Sequence, residues 1–508
     1  MRRIHIFLLV FLFMGNIFAQ TEEQLNLLDK YYQKVLNEWH IPGMAVAITN
    51  GDKILFSKGY GYANMAKKTK VDGNTLFAIA SNSKAFTATS VAQLVEEGRL
   101  NWSDKVIDIL PYYRLYNDYT TNHSMVEDLM THRNGLKTFS GDLLWFATTK
   151  TSEEIIAGQQ YLKPEYEFRT KFGYSNIGYL SAGKVLEKVT DSSWADYVSA
   201  HFLKPLKMDR TLVSVKQIAG TKNVATPYFY EDGKHYEIKW VNWDNVAPAG
   251  ALISSVNDYA KWLQLNLNKG KLSGKTYFSE KSFNKLTTPQ ATFGVGKNSE
   301  KVNFKGYGMG WSVQDYQGYK IIGHGGGYDG MISKSTFVPD KDLGIIVLTN
   351  SLNWAPTAVV NKTLDVLLAG ITEGKDWSAD YLKYKDEKDQ EARKERLDDE
   401  NLRGKLGADH LNFSEYSGTY TDKNYGDVVV SESGGRLFFK MVETPIFKAE
   451  LKHWNHHIFT FRFDKNLVSL PRGKLWFDLD KNGKVEKLHI DVPNPDFYFT
   501  EFEFVKKK

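Results

Sequence analysis

Strand patterns occupy both ends of the first 375 residues, and helical patterns fill the middle. Residues 44–49 and 54–59 are apolar runs separated by an Asn-Gly-Asp turn, which is a strong signal for a β-hairpin. Residues 307–324 and 331–350 are typical of further strands, each with its own turn. Strands distant in sequence meet most simply in one antiparallel sheet covered by helices. We therefore predict an α+β domain over residues 20–375.

The composition changes twice after this domain. Residues 376–410 are dominated by charge, as in KYKDEKDQEARKERLDDE, which is typical of a solvated helix or linker. Residues 411–508 contain short, aromatic-rich strand patterns at even spacing with Gly and Asn turns. This pattern predicts a separate, small all-β domain, either a barrel or a sandwich.

The first 19 residues have the pattern of a secretory signal peptide. Two arginines precede an apolar run from Ile6 to Met14, and Ala19 provides a small residue at the expected cleavage point. The run is far shorter than the ~20 residues that span a bilayer, so an uncleaved anchor is the weaker alternative. Since the chain has no cysteine, we expect secretion into a bacterial periplasm, with no stable membrane span.

Composition excludes several classes of function. The 65 basic residues nearly balance the 60 acidic ones, so no excess of positive charge indicates a nucleic-acid partner. The absence of cysteine excludes disulfides, thiolate metal sites and a cysteine nucleophile. The histidines at 453, 456 and 457 lack a nearby group of acidic ligands, and we expect no metal and no cofactor. The oligomeric state stays open.

A Ser-x-x-Lys motif lies at the start of the helical pattern over residues 81–98. Ser81 and Lys84 are three residues apart and share one helix face. A hydroxyl attacks poorly unless a neighbour removes its proton, and an amine can do so when it holds its own proton loosely. The partial positive charge of a helix N-terminus disfavours a second cation there. The same spacing recurs at two other places, Ser181 with Lys184 and Ser282 with Lys285.

Two further motifs follow Ser81 in order along the chain. Tyr174-Ser175-Asn176 comes just before a helical pattern, and His324-Gly325-Gly326 ends a strand pattern. Each of the three motifs is common by itself. Their occurrence in this order, at the start of helical patterns and at the end of a strand pattern, is a much more specific signal. Together they indicate a nucleophile site assembled from three parts of the first domain.

This ordered set resembles the penicillin-recognising serine hydrolases, which include class C β-lactamases, D-alanyl-D-alanine carboxypeptidases, esterases and D-aminopeptidases. The resemblance covers residues 37–350 and includes the blocks FAIASNSKAFTA, FGYSNIGYLSAGKVLEKVT and GHGGGYDG. It implies a β-lactamase-like fold, with an antiparallel sheet flanked by helices and an all-helical lobe. The C-terminal segment resembles a β module often appended to bacterial members.

The resemblance also implies roles for individual residues. Ser81 would be the acylated nucleophile, and Lys84 would assist its deprotonation. Tyr174 would act as general base and acid, and Asn176 would hydrogen-bond Lys84 and the substrate amide.

The third motif departs from the pattern of many relatives. His324 stands where they carry lysine, so recognition of a substrate carboxylate by a fixed charge is in doubt. Gly326 and Gly327 would let a substrate approach the backbone closely. The backbone N–H groups of Ser81 and Gly327 would form the oxyanion hole.

These expectations describe a secreted, metal-independent serine hydrolase with a small-molecule or peptide substrate. It would cleave amide or ester bonds through an acyl-enzyme, with D-amino-acid peptides as the leading class and esters or β-lactams as others. One alternative is a penicillin-binding or sensor-type protein that acylates and turns over poorly. Another is a binding scaffold without catalysis.

Overall fold

The computed structural model describes residues 22–296, 301–403, 407, 409–465 and 470–508. The predicted signal peptide at residues 1–19 lies outside the described residues. The first domain is built on a nine-stranded sheet in which every neighbouring pair is antiparallel. In spatial order its strands are Ala291–Phe293, Lys305–Tyr307, Ser312–Tyr316, Tyr319–Tyr328, Met331–Val338, Leu343–Thr349, Gly43–Thr49, Ile54–Asn64 and Thr69–Lys70.

The centre of the sheet is buried on both faces. Met44, Val46 and Ile48 pack into one apolar core, and Ala45 and Ala47 pack into the other. Side chains alternate between the two faces along a strand, so one strand serves both cores. This explains why the first hairpin strand is apolar throughout instead of alternating with polar residues.

Helices cover both faces, as the α+β prediction requires. One helix spans residues 22–38, and the others in the first domain are Ser83–Glu96, Val106–Ile109, Asp118–His123, Asp128–Thr131, Ser152–Gly158, Asn176–Thr190, Trp194–Val198, Ala247–Gly250, Val256–Leu267, Glu280–Leu286 and Ala355–Ala369. The helix Ser83–Glu96, called the buried helix below, has every residue from Ser83 to Leu94 buried. Such a helix can exist only inside a large domain, because it offers no face to water.

The region predicted to be helical also contains other structure. Three two-stranded ribbons occur there: Phe77–Ala78 with Ile253–Ser254, Tyr228–Glu231 with Lys234–Glu237, and Lys271–Leu272 with Lys275–Thr276. The helix that begins at Trp194 changes to a π-helical turn at Ser199–Leu203. Two of the ribbons are local hairpins, whereas the first joins distant parts of the chain, which local periodicity does not reveal.

The C-terminal segment folds as a closed eight-stranded β-barrel, which decides between the barrel and the sandwich. The barrel strands are Gly418–Asp422, Gly426–Ser433, Arg436–Met441, Lys448–Asn455, Ile458–Phe461, Gly473–Leu479, Val485–Asp491 and Phe504–Lys506, with a short helix Phe413–Tyr416 before them. Closure pairs the first strand with the last, which removes the free sheet edges.

One long helix, Trp377–Arg403, occupies the charged segment between the two domains. Ser378 is its one buried residue, in agreement with the prediction of a solvated helix. Among the helices that the structure describes, this one included, none combines the length and the apolar character needed to cross a bilayer.

The barrel docks on the helical lobe through Glu501. Its carboxylate accepts hydrogen bonds from the Ser140 hydroxyl at 2.6 Å, the Gly141 N–H at 3.1 Å and the Tyr425 hydroxyl at 2.6 Å. Two of these donors belong to the first domain and one to the barrel. The Phe146 ring adds an apolar contact, 4.6 Å from the ring of Phe497 between centroids.

We expect Glu501→Gln to destabilise the protein by about 1–3 kcal/mol, because an amide leaves one buried donor without an acceptor. Urea denaturation measures the loss. Glu503→Gln is the matched control, since Glu503 pairs with Lys163 on the surface and both side chains are largely exposed. Exposed pairs contribute about 0–1 kcal/mol. Equal effects from the two substitutions would contradict the assigned role of Glu501.

Candidate active site

Ser81 lies in a short 3₁₀ turn, Ala80–Asn82, that runs directly into the buried helix. Ala80 holds a left-handed backbone with φ of 46°, a conformation that costs a non-glycine residue about 1–3 kcal/mol. The Asn82 side chain fixes the turn to the neighbouring strand, because its amide donates to the Ser333 hydroxyl at 2.8 Å and its oxygen accepts from Ser335 at 2.6 Å. The position of Ser81 is therefore rigid.

Lys84 is completely buried one turn into the same helix. Its Nζ lies 3.0 Å from Ser81 Oγ, 2.7 Å from Asn176 Oδ1 and 2.8 Å from the carbonyl oxygen of Ala249. Burial lowers the pKa of Lys84 to about 7, although the Asp142 carboxylate acts in the opposite direction. Near neutral pH a large fraction of this amine is uncharged.

Asp142 orients the Asn176 amide from the far side. Asn176 Nδ2 donates to Asp142 Oδ2 at 2.7 Å, which assigns Oδ1 to Lys84. Trp145 Nε1 donates to the other oxygen of the Asp142 carboxyl at 2.8 Å. Burial raises the pKa of Asp142 to about 8, and these two donors together with Lys84 favour its charged form.

Tyr174 faces Ser81 and is supported by a histidine. Burial raises the pKa of Tyr174 above its ordinary value, and the Ser81 hydroxyl offsets only part of this shift. The ring of His132 stacks on the Tyr174 ring with centroids 4.2 Å apart, and its Nδ1 accepts a hydrogen bond from the Ser175 N–H at 3.0 Å. His132 also ends the helix Asp128–Thr131 in a left-handed conformation, with φ of 57°.

His324 is buried and neutral. Its Nδ1 is 2.5 Å from the Gly325 carbonyl oxygen, which only accepts, so Nδ1 carries the proton. Its Nε2 is 3.0 Å from the Tyr307 hydroxyl, which therefore donates to it. Burial and the nearby Lys84 lower the pKa of His324 to about 3. His324 consequently offers no positive charge to a ligand near neutral pH.

The glycines after His324 allow the strand Tyr319–Tyr328 to pass close to the turn Ala80–Asn82 that carries Ser81. A Cβ on Gly326 would lie 2.2 Å from the Ile79 carbonyl oxygen, so no larger residue fits there. Gly327 has open space on its side and is exposed. The backbone at Gly327 is accessible from the region in front of Ser81.

These residues surround a cavity of about 560 Å³, within the range of small-molecule sites. Ser81, Tyr174, Asn176, His324 and Gly327 line it, together with aromatic residues of the first domain. The barrel supplies part of the wall, through Leu470, Pro471 and residues 493–497.

The structure thus brings together all seven residues singled out from the sequence: Ser81, Lys84, Tyr174, Asn176, His324, Gly326 and Gly327. Sequence reasoning missed Asp142, Tyr307 and the barrel segment at residues 493–497. Asp142 lies in a 3₁₀ turn, Asp142–Leu144, with no motif spacing to the other residues. Within the residues that the structure describes, no group of three His, Asp or Glu side chains is placed to hold a metal ion.

We expect Asp142→Asn to cost about 1–3 kcal/mol of folding stability, because one asparagine oxygen cannot accept from both Asn176 and Trp145. Urea denaturation of the full chain measures it. Asp108→Asn is the control, since Asp108 is exposed, and we expect a change within about 0.5 kcal/mol. A D142N protein as stable as the D108N protein would show that the two donors do not depend on the carboxylate.

Comparison with known proteins adds independent information. Residues 28–370 match the family model described as Beta-lactamase, and residues 402–506 match one described as a domain of unknown function, DUF3471. An unguisins hydrolase of Aspergillus campestris is 30% identical over 385 residues, which cover 72% of this chain and 70% of that protein. Protein flp of Staphylococcus aureus is 28% identical over 339 residues, which cover 65% of this chain and 64% of flp, less than two thirds of its length.

Two solved structures share the fold. An octameric penicillin-binding protein homologue from Pyrococcus abyssi matches with a TM-score of 0.62 at 21% identity, over 95% of this chain and 100% of that one. A D-stereospecific amidohydrolase from Streptomyces sp. matches with a TM-score of 0.54 at 23% identity, over 67% of this chain and 98% of that one. Because the family model matches more than half of the sequence, the chain belongs to the β-lactamase family.

Proposed function

We propose that the protein is a serine hydrolase that cleaves amide bonds through an acyl-enzyme on Ser81. The observation that carries this proposal is the arrangement of three partners around the Lys84 amine. A neutral amine has two hydrogens and one lone pair. The oxygens of Asn176 and Ala249 accept the two hydrogens, so the lone pair is directed at the Ser81 hydroxyl.

In the proposed first step, Lys84 takes the hydroxyl proton while Ser81 Oγ attacks the carbonyl carbon. The amine becomes an ammonium, and this positive charge favours the ionised form of Asp142, which in turn stabilises the ammonium through Asn176. The carbonyl oxygen of the substrate becomes an oxyanion. We assign its donors to the backbone N–H groups of Ser81, in the first turn of a helix, and of Gly327 beside the cavity.

Tyr174 is the proposed proton donor to the leaving amine. Since burial raises its pKa, the phenol stays protonated at neutral pH and holds a proton to give. Tyr174 gives its proton to the leaving nitrogen as the C–N bond breaks, and the Lys84 ammonium, 4.9 Å from the centroid of the Tyr174 ring, then returns a proton to the Tyr174 oxygen. In deacylation the same groups would work in reverse on a water molecule, which releases the acid and restores Ser81.

The names of similar proteins support an amide substrate. One relative is an unguisins hydrolase, and one structural neighbour is a D-stereospecific amidohydrolase. We propose D-amino-acid amides or peptides as the leading substrate class. We also propose that the protein acts in the bacterial periplasm, because of the leader pattern over residues 1–19 and the absence of cysteine.

Intact-protein mass spectrometry after exposure to a fluorophosphonate tests the nucleophile. We expect a single adduct on the wild-type protein and none on Ser81→Ala. The rate of labelling should rise with pH and level off above about pH 7, since the neutral fraction of Lys84 rises through its lowered pKa. Asp142→Asn should move this midpoint to lower pH, because it removes a charge that raises the pKa of Lys84.

A second adduct that persists in Ser81→Ala, or a labelling rate that stays flat from about pH 5 to about pH 9, would overturn the assignment of Ser81 and Lys84. Labelling without turnover of any amide or ester would favour a penicillin-binding type of protein.

We expect Tyr174→Phe to lower the turnover of an aryl amide by about 10²–10⁴-fold, the usual effect of a lost acid–base group. Steady-state kinetics on a D-aminoacyl p-nitroanilide measures it. Tyr119→Phe is the control, since Tyr119 is 65% exposed. Turnover by Tyr174→Phe within about threefold of the control would remove the acid–base role of Tyr174.

A further inference from the structure

Besides Asp142, two further carboxylic acids line the same cavity as Ser81, one from each domain. Asp329 lies between the strands Tyr319–Tyr328 and Met331–Val338, in the turn that follows the glycine run. Asp496 lies in the barrel segment between Val485–Asp491 and Phe504–Lys506. The proposed mechanism uses neither group.

The Asp329 carboxyl is buried without a full set of partners. Its Oδ2 is inaccessible to solvent and has no hydrogen-bond partner among the described residues. Burial raises the pKa of Asp329 to about 7, the indole of Trp243 acts in the opposite direction, and Asp496 raises it further. The two acids are therefore close enough to repel each other.

Asp496 is held at the cavity by a stiff segment. Pro493 and Pro495 precede it, and each ring fixes one backbone angle. The Asp496 N–H donates to Asn494 Oδ1 at 3.0 Å, whereas its carboxylate forms no hydrogen bond or ion pair with the residues that the structure describes. Asp496 is exposed, and partial desolvation at the cavity raises the pKa of its carboxyl.

Among the described residues, no lysine or arginine lines this cavity, and the lining His324 is neutral. Residues 466–469, which lie outside those ranges next to the lining residue Leu470, are Asn-Leu-Val-Ser and carry no charge. Two unpaired carboxylates near each other in a partly desolvated site are costly, and a cation between them offsets that cost. The charge of the cavity is therefore complementary to a positively charged group.

Aromatic side chains complete the complementarity. The Trp243 ring lies 5.0 Å from that of Trp145 and 4.7 Å from that of Tyr328 between centroids, and all three line the cavity. Aromatic faces attract ammonium groups that have lost part of their water. Phe146 and Phe497 add apolar surface at the junction of the two domains.

We propose that Asp329 and Asp496 form a subsite for a cationic ammonium group of the substrate, walled by Trp145, Trp243 and Tyr328. This inference rests on the proposed amide hydrolysis at Ser81 and narrows it to amides that carry a free amino group. The barrel then takes part in substrate selection directly, because it contributes one of the two charges.

Two substrates that differ by one positive charge test the subsite. They are D-phenylalanine p-nitroanilide and its N-acetyl derivative, and kcat/KM is measured for both. We expect the wild-type protein to prefer the free amine by at least about tenfold, a free-energy difference of about 1.4 kcal/mol. Asp496→Asn and Asp329→Asn should each remove most of this preference, with little effect on the acetylated substrate. Asp496→Glu should restore part of it.

The control is Glu486→Gln, an exposed acid on the barrel that should leave the preference unchanged. The preference for the amine should pass through a maximum with pH, because Asp329 gains its charge as pH rises through about 7 and the α-amine of the substrate loses its charge near pH ~8. For acetylated, uncharged substrates, kcat/KM should not show this pH dependence.

A second readout does not require turnover. Phenethylamine and N-acetylphenethylamine are tested for slowing the fluorophosphonate labelling of Ser81. We expect protection by the amine alone, and its loss in Asp496→Asn.

Equal kinetics and equal protection for charged and acetylated partners would overturn the cation subsite while leaving Ser81 established by its labelling. Equal losses on both substrates in the two variants would also overturn it, since they would show a purely structural role. Failure of Ser81 to label at all would instead count against the proposed function, and calorimetric titration with phenethylamine would then decide the subsite by itself.

Discussion

The burial of one lysine amine constrains much of the first domain. Three elements contact Lys84 Nζ. They contribute Asn176 at the start of its helix, Ala249 in the short helix Ala247–Gly250, and Ser81 in the turn Ala80–Asn82. A buried amine without such partners is strongly unfavourable, so these elements must dock together for the domain to be stable. The same desolvation brings the pKa of Lys84 to about 7. Desolvation of Lys84 therefore costs folding free energy near neutral pH, and the same desolvation gives the amine its capacity to accept a proton.

A continuous set of hydrogen bonds links this amine to the barrel. Lys84 bonds to Asn176, and Asn176 bonds to Asp142. The two residues before Asp142 are held by Glu501 of the barrel, through the Ser140 hydroxyl and the Gly141 N–H. The position of the Asp142 turn thus depends on the docked barrel. The C-terminal domain supports the arrangement around Lys84 as well as forming a wall of the cavity, so its removal would be expected to affect both.

Local sequence was enough for the elements and residues that carry their own signal. The Asn-Gly turn predicted the first hairpin, and three ordered motifs predicted the residues around Ser81. Asp142 and Tyr307 escaped prediction because tertiary contacts alone bring them to the site. The ribbon Tyr228–Glu231 with Lys234–Glu237 is a local hairpin around Asp232-Gly233, both with positive φ, so it carried a turn signal that the helical interpretation of this region passed over. The barrel was predictable from spacing and turns, whereas its contribution to the cavity depends on docking between domains.

The ionisable residues around Ser81 favour a negative net charge in the cavity. Relatives with lysine in the third motif present a cation there, but His324 in this chain is neutral because it is buried and donates to the Gly325 carbonyl. Lys84 is only partly protonated near neutral pH, and the ionisable acids that line the cavity are Asp142, Asp329 and Asp496. A ligand carboxylate would meet these acids without a compensating cation among the described lining residues. The loss of the lysine and the presence of these acids therefore act in the same direction, away from anionic and toward cationic substrates.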